Sequence, residues 1–142
     1  MLERNASAEW KGKLKDGEGK IKFGGGAFEG KYSFASRFED GKGTNPEELI
    51  AAAHSGCFSM ALSASLEKEG YNPVSVKTKA EVSLAKEESG FVIKTITLTN
   101  ESEVPEISEE DFQKIAEGAK ANCPVSKALA AVDIKLDAKL SS

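Results

Sequence analysis

Polar and apolar residues alternate with a period of two through much of this chain, the pattern of strands with one wet face. From Ala8 to Phe23, Trp10, Gly12 and Leu14 alternate with Glu9, Lys11 and Lys13. Asp16-Gly17-Glu18-Gly19 then supplies turn residues before Lys20-Ile21-Lys22-Phe23, which reads as a hairpin. After Gly24-Gly25-Gly26 the stretch Lys31 to Phe38 alternates again and predicts a third strand, with Arg37 near its end. Val74 to Leu84 and Phe91 to Val104 predict a second hairpin across Ala85–Gly90, and Val132 to Leu140 a final strand.

Between these lies a different pattern. Gly41-Lys42-Gly43-Thr44-Asn45-Pro46-Glu47-Glu48 is dense in helix-start signals: Thr44 or Asn45 to cap, proline at the first helical position, acids in the first turn. The helix is predicted from about Pro46 to Glu69, with Gly70 and Pro73 as stop signals. A second helix starts near Ser108, where Ser108 and Asp111 resemble a capping box, and ends near Asn122, because Cys123 precedes Pro124. Pro124 opens a short third helix through about Ala130 that leaves Cys123 at or next to its N-cap. The order βββ-α-ββ-α-α-β, undivided by repeat or linker, predicts one α+β domain over residues 1–142.

The uncharged run Leu49–Leu66 reaches the length of a membrane span, but its four serines, histidine and many small residues fit a central helix buried by protein on most sides. A chain of 142 residues buries roughly 70% of its unfolded surface, so neither metal nor disulfide is needed for folding. Its net charge of -4, with acids and bases mixed, disfavours nucleic acid and anionic membranes as partners. The N-terminus MLERNASAEWKGKLKDGEGK has no apolar signal-peptide core, so a reducing cytoplasm is expected. There, two cysteines suggest redox chemistry, metal binding or simple burial before a structural disulfide.

Cys57 falls in mid-helix, about 16 Å from the helix start and out of reach of its dipole, so a nearby cation would have to activate it. Arg37 is a candidate cation, although a surface arginine reads the same way. Glu47 stands ten residues before Cys57, about 15 Å along a straight helix. If Glu47 and Arg37 serve Cys57, at least the glutamate should come from a partner subunit. Cys123, at a helix start, is placed where a thiolate is favoured. His54, the one histidine, precedes Cys57 by three residues, which permits an activating pair or a site of His54, Cys57 and Cys123. With no CxxC or HExxH, no metal site is assigned. Nor is there a dinucleotide glycine motif around Gly24–Gly26 or a GxSxG elbow.

Arg37-Phe38-Glu39 and Gly41 through Ile50, continuing as Ala51-Ala52-Ala53-His54-Ser55-Gly56-Cys57-Phe58-Ser59-Met60-Ala61-Leu62, together with Cys123-Pro124-Val125-Ser126-Lys127, closely resemble the osmotically inducible protein C (OsmC) family. The arginine just before GKGTNPEEL is nearer to OsmC than to the organic hydroperoxide resistance (Ohr) branch. The resemblance implies an OsmC-like fold and an intertwined homodimer with active sites at the subunit interface. It implies a cofactor-free thiol peroxidase acting on organic hydroperoxides, with Cys57 peroxidatic, Cys123 resolving through an intramolecular disulfide, Arg37 stabilising the thiolate and Glu47 holding the arginine. An external dithiol such as a dihydrolipoyl protein would reset the disulfide. Apolar residues near Cys57, such as Phe58 and Met60, would favour an alkyl substituent. A thiol redox sensor or binding module using the same two cysteines is the alternative.

Overall fold

The computed structural model describes residues 1–141. The chain divides into two compact units, Met1–Leu49 and Ile50–Ser142. In the first, β1 (Ala6–Lys11), β2 (Glu18–Phe23) and β3 (Phe28–Tyr32) form an antiparallel sheet in that order. Trp10 and Tyr32 approach to 5.4 Å between ring centroids over Gly19, where any added Cβ would collide with both rings.

The third strand ends earlier than its alternation predicts. Phe34–Phe38 is a short helix, α1, so Arg37 stands on a helix and not at a strand end. The cause is a capping box: the Ser33 hydroxyl accepts from the Ser36 amide at 3.1 Å, and the Ser33 amide donates to Ser36 Oγ at 2.8 Å. Two local donors and acceptors are thereby satisfied by helix instead of sheet pairing. This adds one helix to the predicted order without changing the α+β class.

The helix α2 (Pro46–Lys68) matches its predicted start and stop within one residue. Asn45 Oδ1 accepts from the Glu48 amide at 2.8 Å, and Gly70, at φ +92°, takes the left-handed conformation that ends the helix.

In the second unit β4 (Ser75–Glu87) and β5 (Gly90–Glu103) pair antiparallel, and β6 (Asp133–Ser141) adds parallel to β5. The helices α3 (Glu109–Asn122) and α4 (Pro124–Ala128) precede β6. Ser108 caps α3 by accepting from the Asp111 amide at 3.1 Å. The core gathers Phe58, Leu62 and Leu66 from α2, Ile96 and Leu98 from β5, and Phe112, Ala116 and Ala119 from α3. His54, Phe58, Leu62 and Leu66 recur every four residues and give α2 one buried stripe.

The rest of α2 departs from the expected burial on most sides. Only 22% of its apolar window is buried, and Ala53, Gly56, Met60 and Ala64, again three to four residues apart, are exposed. Among the described residues of its own unit, α2 from Ile50 onward packs a core on one side only.

Candidate active site

Cys57 and Cys123 come from α2 and from the junction of α3 with α4, 66 residues apart in sequence, and their sulfurs lie 2.8 Å from each other as free thiols. Cys57 reaches that place because it follows His54 by three residues and directly precedes Phe58, which sets it on the border of the buried stripe. Cys123 does because the residue before a proline leaves helical torsions (φ -55°, ψ 128°), which ends α3 and turns the chain. Cys57 is half-buried, whereas Cys123 is 1% exposed. An incoming molecule therefore meets Cys57 first.

The two thiols are electrostatically unequal. Burial pushes the Cys57 thiol above its usual value, and its hydrogen bond to Cys123 pushes the same way, against a weaker opposing effect of the Val125 amide. Burial also works against a Cys123 thiolate. There it is outweighed by the Cys57 thiol, the Ser126 amide and hydroxyl and the Val125 amide, so the Cys123 pKa falls. The neutral sulfur of Cys123 makes no capping hydrogen bond, as expected of a weak acceptor, and these groups favour the charged form. Within this unit the surroundings favour a thiolate at Cys123 more than at Cys57, and Cys57 retains its need for a cation.

His54 is fully buried next to this pair, and its Nε2 lies 2.8 Å from Ser126 Oγ. Burial lowers the imidazole pKa, so the ring is neutral. Among the described residues no group of three or more His, Cys, Asp or Glu side chains is placed to hold a metal. Of the two apolar residues expected near Cys57, Phe58 is packed into the core and Met60 is 76% exposed. Sequence reasoning missed Ser126; its signal was the third position after Cys123 in Cys-Pro-x-Ser, where a side chain turns back toward the cap.

In the first unit Arg37 and Glu47 form a two-pronged ion pair, Nε to Oε1 at 3.0 Å and Nη2 to Oε2 at 2.9 Å. The local framework is specific. Ser36 Oγ donates to the Thr44 carbonyl at 2.7 Å, Asn45 Nδ2 donates to the Ser36 carbonyl at 3.0 Å, and the Thr44 amide donates to Lys31 O at 2.8 Å. These bonds lash α1 to the start of α2, so that Arg37 faces Glu47 in the first helical turn. Gly43, at φ +122° with Lys31 O against it, allows the loop this close approach. The guanidinium also lies 5.2 Å from the Phe38 ring centroid. Fork-to-fork geometry leaves the outer guanidinium edge with a fixed direction.

The OsmC-like protein family model matches residues 39–137. The chain belongs to the OsmC family. It is 46% identical over 142 residues to Peroxiredoxin OsmC of Escherichia coli (strain K12), covering 99% of both chains. It is 37% identical over 100 residues to the organic hydroperoxide resistance protein OhrB of Bacillus subtilis (strain 168), covering 68% of this chain and 71% of that one. The crystal structure of OhrB superposes with a TM-score of 0.76 at 30% identity, over 95% of this chain and 98% of that chain. An OsmC-like protein from Mycoplasma pneumoniae shares the fold, with a TM-score of 0.79 at 14% identity. The matched OsmC segment holds Glu47, His54, Cys57, Cys123 and Ser126, with Arg37 two residues before it.

Proposed function

We propose that this protein is a peroxiredoxin-type enzyme that reduces organic hydroperoxides to alcohols, with Cys57 as the peroxidatic and Cys123 as the resolving residue. One observation carries the reading: two free sulfurs 2.8 Å apart, one reachable and one buried. The names of its relatives, Peroxiredoxin OsmC and OhrB, support the substrate class.

In the first step the Cys57 thiolate attacks the distal peroxide oxygen. An S–O bond forms, the O–O bond breaks, and the alkoxide takes a proton and leaves as the alcohol. In the second the Cys123 thiolate attacks Cys57 Sγ; the S–S bond forms and hydroxide leaves to become water. An external dithiol then returns the disulfide to two thiols and is itself oxidised. No other cofactor takes part in this sequence.

The cation that Cys57 needs is assigned to Arg37, with Glu47 as the clamp that aims it. Ten helical residues separate Glu47 from Cys57, about 15 Å, so the glutamate comes from a partner subunit, and the arginine bonded to it comes with it. The exposed side of α2 supports such a homodimer, since small residues at 53, 56 and 64 let a second helix approach closely. We read this apolar helix as a subunit interface and not a membrane span, and place the protein in the cytoplasm as one working domain.

The test is turnover of cumene hydroperoxide with dithiothreitol or a dihydrolipoyl reductant. Wild type should consume many equivalents and Cys57→Ser none above background. Equal rates for the two would remove Cys57 from its role. Oxidation of wild type that stops after one equivalent despite excess reductant would instead make the pair a redox sensor.

A further inference from the structure

We propose that His54 is a positioning residue for disulfide formation: through Ser126 it holds Cys123 as the anionic, attacking member of the cysteine pair. The proposal rests on the peroxidase reading above and concerns a buried imidazole that the reaction steps do not otherwise use.

The geometry is a row of groups on three elements. His54 Nε2 is 2.8 Å from Ser126 Oγ, Ser126 follows Cys123 by three residues in the first turn of α4, and Cys123 Sγ is 2.8 Å from Cys57 Sγ. His54 is 0% and Ser126 5% exposed, so water does not compete for these bonds. Nδ1 of His54 is buried with no hydrogen-bond partner among the described residues. That orphan fixes the direction of the row. A bare ring nitrogen is tolerated in a dry site more readily than an N–H with no acceptor, so the proton resides on Nε2.

His54 Nε2–H then donates to Ser126 Oγ. The hydroxyl's own hydrogen is thereby turned away from the ring and toward Cys123, three residues back at the start of α4, whose thiolate the Ser126 hydroxyl favours. With the proton on Nδ1 the same hydroxyl would donate to the ring and be lost to Cys123. The lowered pKa of Cys123, to which the Ser126 hydroxyl contributes, agrees with this direction. So does the neutral state that burial imposes on His54.

The consequence falls on the second chemical step. Once Cys57 is a sulfenic acid, it is exposed to a second peroxide molecule until Cys123 attacks. A Cys123 already held as thiolate attacks without first losing a proton, forms the S–S bond and expels hydroxide, which solvent protonates. His54 therefore protects Cys57 from the irreversible sulfinic state without touching the peroxide.

The test uses the full-length reduced protein with excess cumene hydroperoxide and no reductant. Mass spectrometry reads the ratio of Cys57 sulfinic acid to Cys57–Cys123 disulfide. His54→Leu and Ser126→Ala should each raise that ratio about tenfold, the least that a hydrogen bond to a charged group commands. The first peroxide-consuming step should not slow, because a less favoured Cys123 anion leaves the Cys57 thiolate easier to form. His54→Gln, which keeps an N–H within reach of Ser126, should restore the wild-type ratio, and adding His54→Leu to Ser126→Ala should change nothing further. Because the chain has a single histidine, its ring nitrogens are identified unambiguously by 15N NMR, which should show Nε2 protonated and Nδ1 bare.

A wild-type ratio in both His54→Leu and Ser126→Ala, failure of glutamine to rescue, additivity in the double variant, or a proton on Nδ1 would each overturn the assignment while leaving the peroxidase reading intact. Absence of any disulfide in wild type would overturn both.

Discussion

Replacing Glu47 by alanine removes both hydrogen bonds that hold the Arg37 guanidinium and leaves the cation free to turn. The two bonds, 3.0 and 2.9 Å, are charge-assisted, a class worth about 1.5–3 kcal/mol each when sheltered. The Arg37 side chain is 35% exposed and that of Glu47 11%, so water recovers part of the loss and the lower end applies to the pair. A cost of about 1.5 kcal/mol in aiming the cation corresponds to about a tenfold fall in kcat/KM. Glu47→Gln, which keeps one acceptor for one prong, should lose less, about threefold. The assay is single-turnover reduction of cumene hydroperoxide. Urea unfolding beside it would show whether the loss arises from stability. In a double-mutant cycle Glu47→Ala should add almost nothing to Arg37→Ala, because the glutamate acts only through the arginine. Unchanged kcat/KM in Glu47→Ala, with Arg37→Ala impaired, would refute the clamp. Additive losses would show that Glu47 acts by another route.

Cys123→Ser should complete a first turnover and then inactivate by overoxidation of Cys57; sustained cycling without an added small thiol would contradict the resolving role. Leu62→Ala, at a fully buried position between α2 and its core, should cost about 2–5 kcal/mol in urea unfolding, and a loss under 1 kcal/mol would mean this contact is not part of a packed core. The His54 pKa is lower in the folded protein than its ordinary 6.5, so the unfolded chain binds the extra proton. This contribution is complete above the unfolded value and is lost as pH falls below it. Between about pH 7.5 and pH 5.5 the urea midpoint should therefore fall further for wild type than for His54→Gln, and equal falls would show that the imidazole is not desolvated.

What could be read from the chain depended on the range of the interaction. The start of α2 was legible because Asn45, Pro46, Glu47 and Glu48 are neighbours whose capping bond is made within four residues. The Lys31–Phe38 segment was misread because its alternation also fits a short helix. Only the mutual bonds of Ser33 and Ser36 decide for α1, and they compete with period-two patterning over the same residues. Cys57 and Cys123 could be singled out by residue type and by the resemblance, but their approach across 66 residues is a product of tertiary packing. The bond between His54 and Ser126 spans 72 residues and leaves no local trace. Composition alone does not say what covers the exposed side of α2, because an apolar helix buried by its own chain and one buried by a partner look the same; only the resemblance points to a helix shared with a partner chain.

The central claim is that peroxide oxidation of Cys57 ends in a bond to Cys123. The most direct measurement is peptide mapping by mass spectrometry after the reduced protein meets one equivalent of cumene hydroperoxide. The account predicts loss of two hydrogens from the intact protein, no free thiol, and one linked peptide pair joining Cys57 to Cys123. Two thiols still free after the peroxide has been consumed, or a stable oxygen adduct on Cys57 with Cys123 unreacted, would contradict it.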